Sequence, residues 1–123
     1  MPQSLTPILR AQLFDELQLI RQDIFYYLQQ DRQTQYQQLL QVLESQPLGH
    51  WPELLAKWLT PELKQKTNRL EALQAALSQM DMGLYGLCCD CECRIERELL
   101  QQDPARQRCA RCESIRQAHQ QSL

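Results

Sequence analysis

Six cysteines fall between Cys88 and Cys112, and none lies elsewhere in the 123 residues. Four of them form two pairs, Cys88-Cys89-Asp90-Cys91 and Cys109-Ala110-Arg111-Cys112, with seventeen residues between Cys91 and Cys109. This C-x2-C-x17-C-x2-C spacing is that of a four-cysteine zinc site. Two cysteines separated by two residues on a tight turn place their sulfurs about 3.7 Å apart, as one edge of a tetrahedron requires when Zn–S is about 2.3 Å. Two such turns supply four corners and leave no position for water or substrate. The expected cofactor is therefore one structural Zn2+ on Cys88, Cys91, Cys109 and Cys112. A disulfide pair and an iron–sulfur cluster are the alternatives. A reducing compartment disfavours the first, and the second usually has different spacing. Cys89 and Cys93 are left over, as alternative ligands, as packing residues, or as thiols whose oxidation ejects the metal.

Catalytic chemistry is not expected. No Ser-His-Asp, Cys-His or paired-carboxylate pattern stands out, and no glycine-rich phosphate loop is present. The formal net charge is -2, and four thiolates around a 2+ ion add about -2 more. Arg94, Arg97, Arg106, Arg108, Arg111 and Arg116 are interleaved with acids such as Glu96, Glu98 and Asp103. Direct DNA binding, which runs on surplus positive charge, is not expected. Met1-Pro2-Gln3-Ser4 carries no basic-then-apolar leader pattern, and no apolar run approaches the ~20 residues that cross a bilayer. The expectation is a cytoplasmic, monomeric protein without membrane contact.

The elements that must position the cysteines are helical. Only 3 Gly are present, and Leu, Gln, Glu, Arg and Ala dominate the first two thirds. Thr6-Pro7 is a cap-then-proline start. Leu13, Leu17, Ile20, Ile24 and Tyr27 or Leu28 then recur at helical spacing, beside a second stripe of Phe14, Phe25, Leu28, Tyr36, Leu39 and Leu43. One helix to about Ser45 is expected. Gln46-Pro47-Leu48-Gly49-His50-Trp51-Pro52 breaks it. Thr60-Pro61 repeats the start signal, as a new helix or a hinge. Leu63, Leu70, Leu73, Leu77, Met80 and Leu84 follow a heptad-like seam, with Lys66 at the one missed position. Gly83 ends that helix. Glu113 to Gln121 suit a short terminal helix.

The expected fold is all-α with a small zinc finger. Residues 1–83 form an antiparallel, coiled-coil-like helical hairpin, turning near 45–53 with a hinge near 60–61. Residues 84–123 hold the finger and the C-terminal helix. Glu44, Leu48, His50, Trp51 and Glu53 cluster about the turn as a candidate partner-binding tip. Trp51 either docks into a partner there or folds back with Trp58 onto Leu54 and Leu55.

Gly83-Leu84-Tyr85-Gly86-Leu87-Cys88 resembles the Gly-x-Tyr-Gly-x-Cys approach to the zinc finger of the DksA/TraR family. Ile95, Leu100 and Pro104 stand four, nine and thirteen residues after Cys91, where that family has Ile, Leu and Pro. The likeness spans about Leu70 to Arg116. It implies a transcription regulator that binds bacterial RNA polymerase through its secondary channel, with a hairpin whose acidic tip reaches toward the catalytic centre. The family's tip motif, Asp-x-x-Asp-x-Ala, falls near Ser45 to His50, a stretch with no Asp; Glu44 and Glu53 flank it. The family's glycine after the second ligand is Glu92 here, and its Arg-Leu pair is Leu99-Leu100. The alternative function is a zinc-stabilised protein–protein interaction module without polymerase-regulating activity.

Overall fold

The computed structural model describes residues 5–30, 34–58 and 60–121. Among them the regular structure is helical: α1 (Leu5–Gln30), α2 (Thr34–Ser45), α3 (Trp51–Leu55), α4 (Pro61–Asp81), α5 (Arg97–Gln102) and α6 (Ala110–Gln121), with single 3-10 turns at Leu48–His50 and Ala56–Trp58. The stretch expected to form one helix to about Ser45 is helical over Leu5–Gln30 and Thr34–Ser45, and residues 31–33 between them lie outside the described ones. No helix among the described residues is long and apolar enough to cross a membrane. The chain divides into two compact units, Phe14–Gln74 and Met1–Leu13 with Ala75–Leu123. Leu9 and Met80 join the cluster that holds Cys88, Ile95, Leu100 and Cys109, so both belong with the cysteines.

In the Phe14–Gln74 unit the apolar stripes become core. Leu17, Ile24, Leu28, Tyr36, Leu39, Leu43, Leu55, Leu63, Leu70 and Leu73 are buried, while Phe14 stays exposed. The missed seam position is filled by Thr67, not Lys66. Thr67 is buried and its hydroxyl donates to the Leu63 carbonyl at 2.8 Å, which satisfies the one polar atom that burial would penalise. Lys66 instead reaches Asp23 at 3.3 Å. Arg69 grips Glu16 with two guanidinium nitrogens, Nη2 to Oε1 at 2.8 Å. Tyr27 Oη lies 2.6 Å from Thr60 Oγ1. The cap at Thr60-Pro61 forms as expected, with Leu63 N–H donating to Thr60 Oγ1 at 3.2 Å and Lys64 N–H to Thr60 O at 2.8 Å.

Trp51 organises the turn. It is 1% exposed and meets Phe25 edge to face, ring centres 5.0 Å apart. Its indole N–H donates to Leu43 O at 3.2 Å and Gln46 O at 3.4 Å, and so joins the Gln46 N–H, which donates to Leu43 O at 3.2 Å, in closing the C-terminal end of α2. The Arg21 guanidinium sits 5.8 Å from both ring centres, within cation–π range.

In the other unit α4 ends as Gly83 suggests. Gly83 has φ +75°; its N–H donates to Met80 O at 3.1 Å, and Leu84 N–H to Gln79 O at 2.8 Å. These are the two bonds of a Schellman cap, which needs the left-handed conformation that glycine takes without steric cost. The chain then leaves the helix for the first cysteine pair. Leu84, the last seam residue, is 48% exposed there. Arg10 and Asp81 pair at 3.1 Å.

Candidate metal centre

The first cysteine pair sits on a small two-rung turn. Leu87 and Arg94 form an antiparallel bridge; Cys88 N–H donates to Cys93 O at 2.7 Å, and Ile95 N–H to Gly86 O at 2.7 Å. Between them Glu92 N–H donates to Cys88 O at 3.0 Å, and Glu92 takes φ +63°. The chain must turn back within four residues to aim Cys88 and Cys91 at one point, and a left-handed residue after Cys91 makes that turn. The second pair stands at the start of α6. Cys109 precedes the helix, and Cys112 lies in its first turn, with its N–H donating to Cys109 Sγ at 3.4 Å. Ala110 N–H is capped by Glu96 Oε2 at 3.3 Å.

The sulfurs of Cys88, Cys91, Cys109 and Cys112 all lie within 4.8 Å of one another. Cys91 Sγ and Cys109 Sγ are 3.8 Å apart, close to the tetrahedral edge of about 3.7 Å that Zn–S bonds near 2.3 Å give. Four soft thiolate donors at that spacing fit a tetrahedral ion of zinc's type. Cys88 and Cys109 are buried, Cys112 half-buried and Cys91 exposed. Behind the buried pair lie Leu9, Ile95 and Leu100, with Met80, Tyr85 and Leu99 partly buried around them. Tyr85 hydroxyl donates to Pro104 O at 2.7 Å, tying the approach segment to the loop before the second pair. Burial and the nearby Asp103 push the Tyr85 phenol up to about 12, so it stays a neutral donor.

The metal-free thiols do not share charge evenly. Burial works to raise the Cys88 thiol, but the backbone N–H groups of Cys109, Cys91 and Asp90 outweigh it and bring the thiol down to about 6. Cys112 moves the other way, raised first by its hydrogen bond with Cys109 and then by burial. One sulfur thus carries the charge and another keeps its proton, until a cation takes the place of protons.

Cys89 and Cys93 are exposed and stand outside the cluster. Desolvation pushes the Cys89 thiol up against the opposing pull of Arg108, so the reactive thiolate that an oxidation switch requires is disfavoured there. Two residues that the spacing argument passed over are part of the site's frame. Asp90 accepts from Arg108 Nε at 2.8 Å, a bond that also holds the guanidinium proton more firmly, and Cys89 N–H donates to Gln107 O at 2.9 Å. Each joins the first cysteine segment to the second. An acid inside one pair and an arginine beside the other was the available signal.

Of the candidate tip residues, Glu44, His50 and Glu53 are exposed and Leu48 is half-buried. His50 Nδ1 lies 3.3 Å from Gln46 Oε1. Trp51 is buried on Phe25, which removes it from any docking surface. The side chain of Trp58 lies outside the described residues.

No protein-family model, no curated protein and no solved structure matches the chain.

Proposed function

We propose that the chain is a zinc-stabilised transcription regulator of DksA/TraR type, binding bacterial RNA polymerase through the secondary channel. The observation that carries this reading is the four-cysteine cluster, reached through Gly83-Leu84-Tyr85-Gly86-Leu87-Cys88. Bound Zn2+ supplies a cross-link, not a reaction, since all four positions are taken by sulfur. In this reading the protein is a cytoplasmic monomer and not an enzyme. Support for a helical hairpin comes from partner order. Asp23 with Lys66, Glu16 with Arg69 and Tyr27 with Thr60 step up one helix while stepping down the other. The 44–53 turn would then be the probe, with Glu44 and Glu53 as its acids and His50 beside them.

Two measurements test it. Purified protein should carry one zinc per chain, lost on mutation of Cys88, Cys91, Cys109 or Cys112 to serine; absence of stoichiometric metal rejects the zinc centre. The protein should bind purified polymerase and be displaced by a known channel-binding factor; no binding at about micromolar concentration rejects the regulator, because a working complex needs roughly -8 kcal/mol.

One observation favours a second reading. The stretch from Ser45 to Pro52 contains no acidic residue, and its aromatic anchor is folded inward. A zinc-stabilised interaction module for another protein needs no acidic tip. Polymerase binding that leaves initiation unchanged would select it over the regulator.

A further inference from the structure

The two cysteine pairs are separated by seventeen residues in sequence, so something besides the metal must set their approach. Two rungs stand side by side between them. One is backbone, Cys89 N–H to Gln107 O at 2.9 Å; the next is side chain, Arg108 Nε to Asp90 Oδ2 at 2.8 Å. Asp90 lies between the two ligands of the first pair, and Arg108 immediately precedes the first ligand of the second. Arg108 is itself steadied, because its carbonyl accepts from Arg106 Nε at 2.8 Å. The Gln107 amide folds back to Ala105 O at 2.9 Å, and Asp103 caps Ala105 N–H at 3.0 Å. The loop that delivers Cys109 is therefore braced from its own side, and Asp90 is the point where it is latched to the other pair.

We propose that Asp90 and Arg108 are positioning residues for the metal centre, a cross-pair latch that slows loss of the ion. The proposal rests on the zinc reading above. Releasing a four-thiolate ion begins with one sulfur leaving the cluster. The exposed Cys91 is the accessible one, and its segment is the one that Asp90 pins. An Arg–carboxylate bond is charge-assisted, and its side chains are 25% and 47% exposed. Partial exposure limits its worth to that of a surface pair and makes it sensitive to salt.

The test follows Zn2+ release from the full chain into excess chromogenic chelator. Arg108→Gln and Asp90→Asn should each speed release about two- to fivefold, and the double variant should be no faster than the faster single one. Raising salt from about 0.05 to about 0.5 M should erase most of the difference between wild type and variants. A residue that merely helped the segment fold would give additive losses indifferent to salt. Additive effects, salt-independent effects or unchanged release each overturn the latch. Zinc content of the wild type is measured alongside. A chain that holds no zinc fails the metal reading, whereas one that holds zinc with release unaltered by the variants fails the latch alone.

Discussion

Replacing Glu92 by glycine should strengthen the metal centre. Glu92 holds φ +63° in the turn between Cys91 and Cys93, a region where a β-carbon crowds the following carbonyl and costs about 1–2 kcal/mol. Glycine removes that cost but gives up about 0.5–1 kcal/mol more backbone entropy on folding. The net gain is about 0.5–1 kcal/mol, or two- to fivefold in an equilibrium that depends on the folded turn. Because the turn and the ion form together, the gain should appear as tighter zinc binding in competition with a chelator. Removing a carboxylate beside an anionic cluster would also tighten binding, so Glu92→Ala is the decisive companion. Alanine removes the charge and keeps the β-carbon; asparagine removes the charge and tolerates the left-handed region. The backbone argument orders the variants Gly above Asn above Ala, with Ala near wild type. An alanine variant as tight as glycine refutes it and assigns the effect to charge.

Leu100→Ala should cost about 2–5 kcal/mol in denaturant unfolding, because Leu100 is fully buried against the cluster of Leu9, Cys88, Ile95 and Cys109; zinc affinity should fall with it. Trp51→Phe keeps an aromatic ring against Phe25 but removes the indole donor to Leu43 O, and urea unfolding should show a loss of about 1–2 kcal/mol. Metal-free protein should gain stability as pH rises from about 6 to about 9. The Cys88 thiol lies at about 6 in the folded chain against an ordinary 9.0, so the unfolded chain binds more protons between those values. That contribution is full above 9 and lost as pH falls through 6. Cys112, raised in the folded chain, acts with the opposite sign and only above 9. Stability that falls with pH across 6 to 9 would contradict the Cys88 assignment.

The convergence of Cys88, Cys91, Cys109 and Cys112 on one point was legible because the spacing that serves metal chemistry is local. Two residues between cysteines, twice, constrain the sulfurs almost regardless of what surrounds them. The helix ends at Thr60-Pro61 and Gly83 were legible for the same reason: caps are written within four residues. What the sequence withheld was set by long-range packing. A seam read at steps of three and four pointed to Lys66, yet one residue further the Thr67 hydroxyl could be buried and satisfied by its own helix. Lys66 has no such internal partner, so it belongs at the edge, where Asp23 meets it. Trp51 illustrates the same limit. Its place in a proline-flanked turn suggests exposure, and only the approach of Phe25, twenty-six residues earlier, makes burial the lower-energy state.

That burial changes what the 44–53 turn can offer a partner. With the indole spent on Phe25 and on the carbonyls of Leu43 and Gln46, the exposed acids and imidazole there are Glu44, Glu53 and His50, around a half-buried Leu48. An aromatic anchor would act by desolvation and tolerate salt. Two carboxylates and an imidazole act through charge and hydrogen bonds, which salt weakens. Any partner that engages this turn should therefore be lost on joint replacement of Glu44 and Glu53 by glutamine and weakened by added salt. Replacement of Trp51 should act only through stability. Binding that survives loss of both acids but vanishes with a folded Trp51→Phe variant would mean that the indole leaves its socket to meet the partner. The bonds to Leu43 and Gln46 would then belong to the unbound state alone.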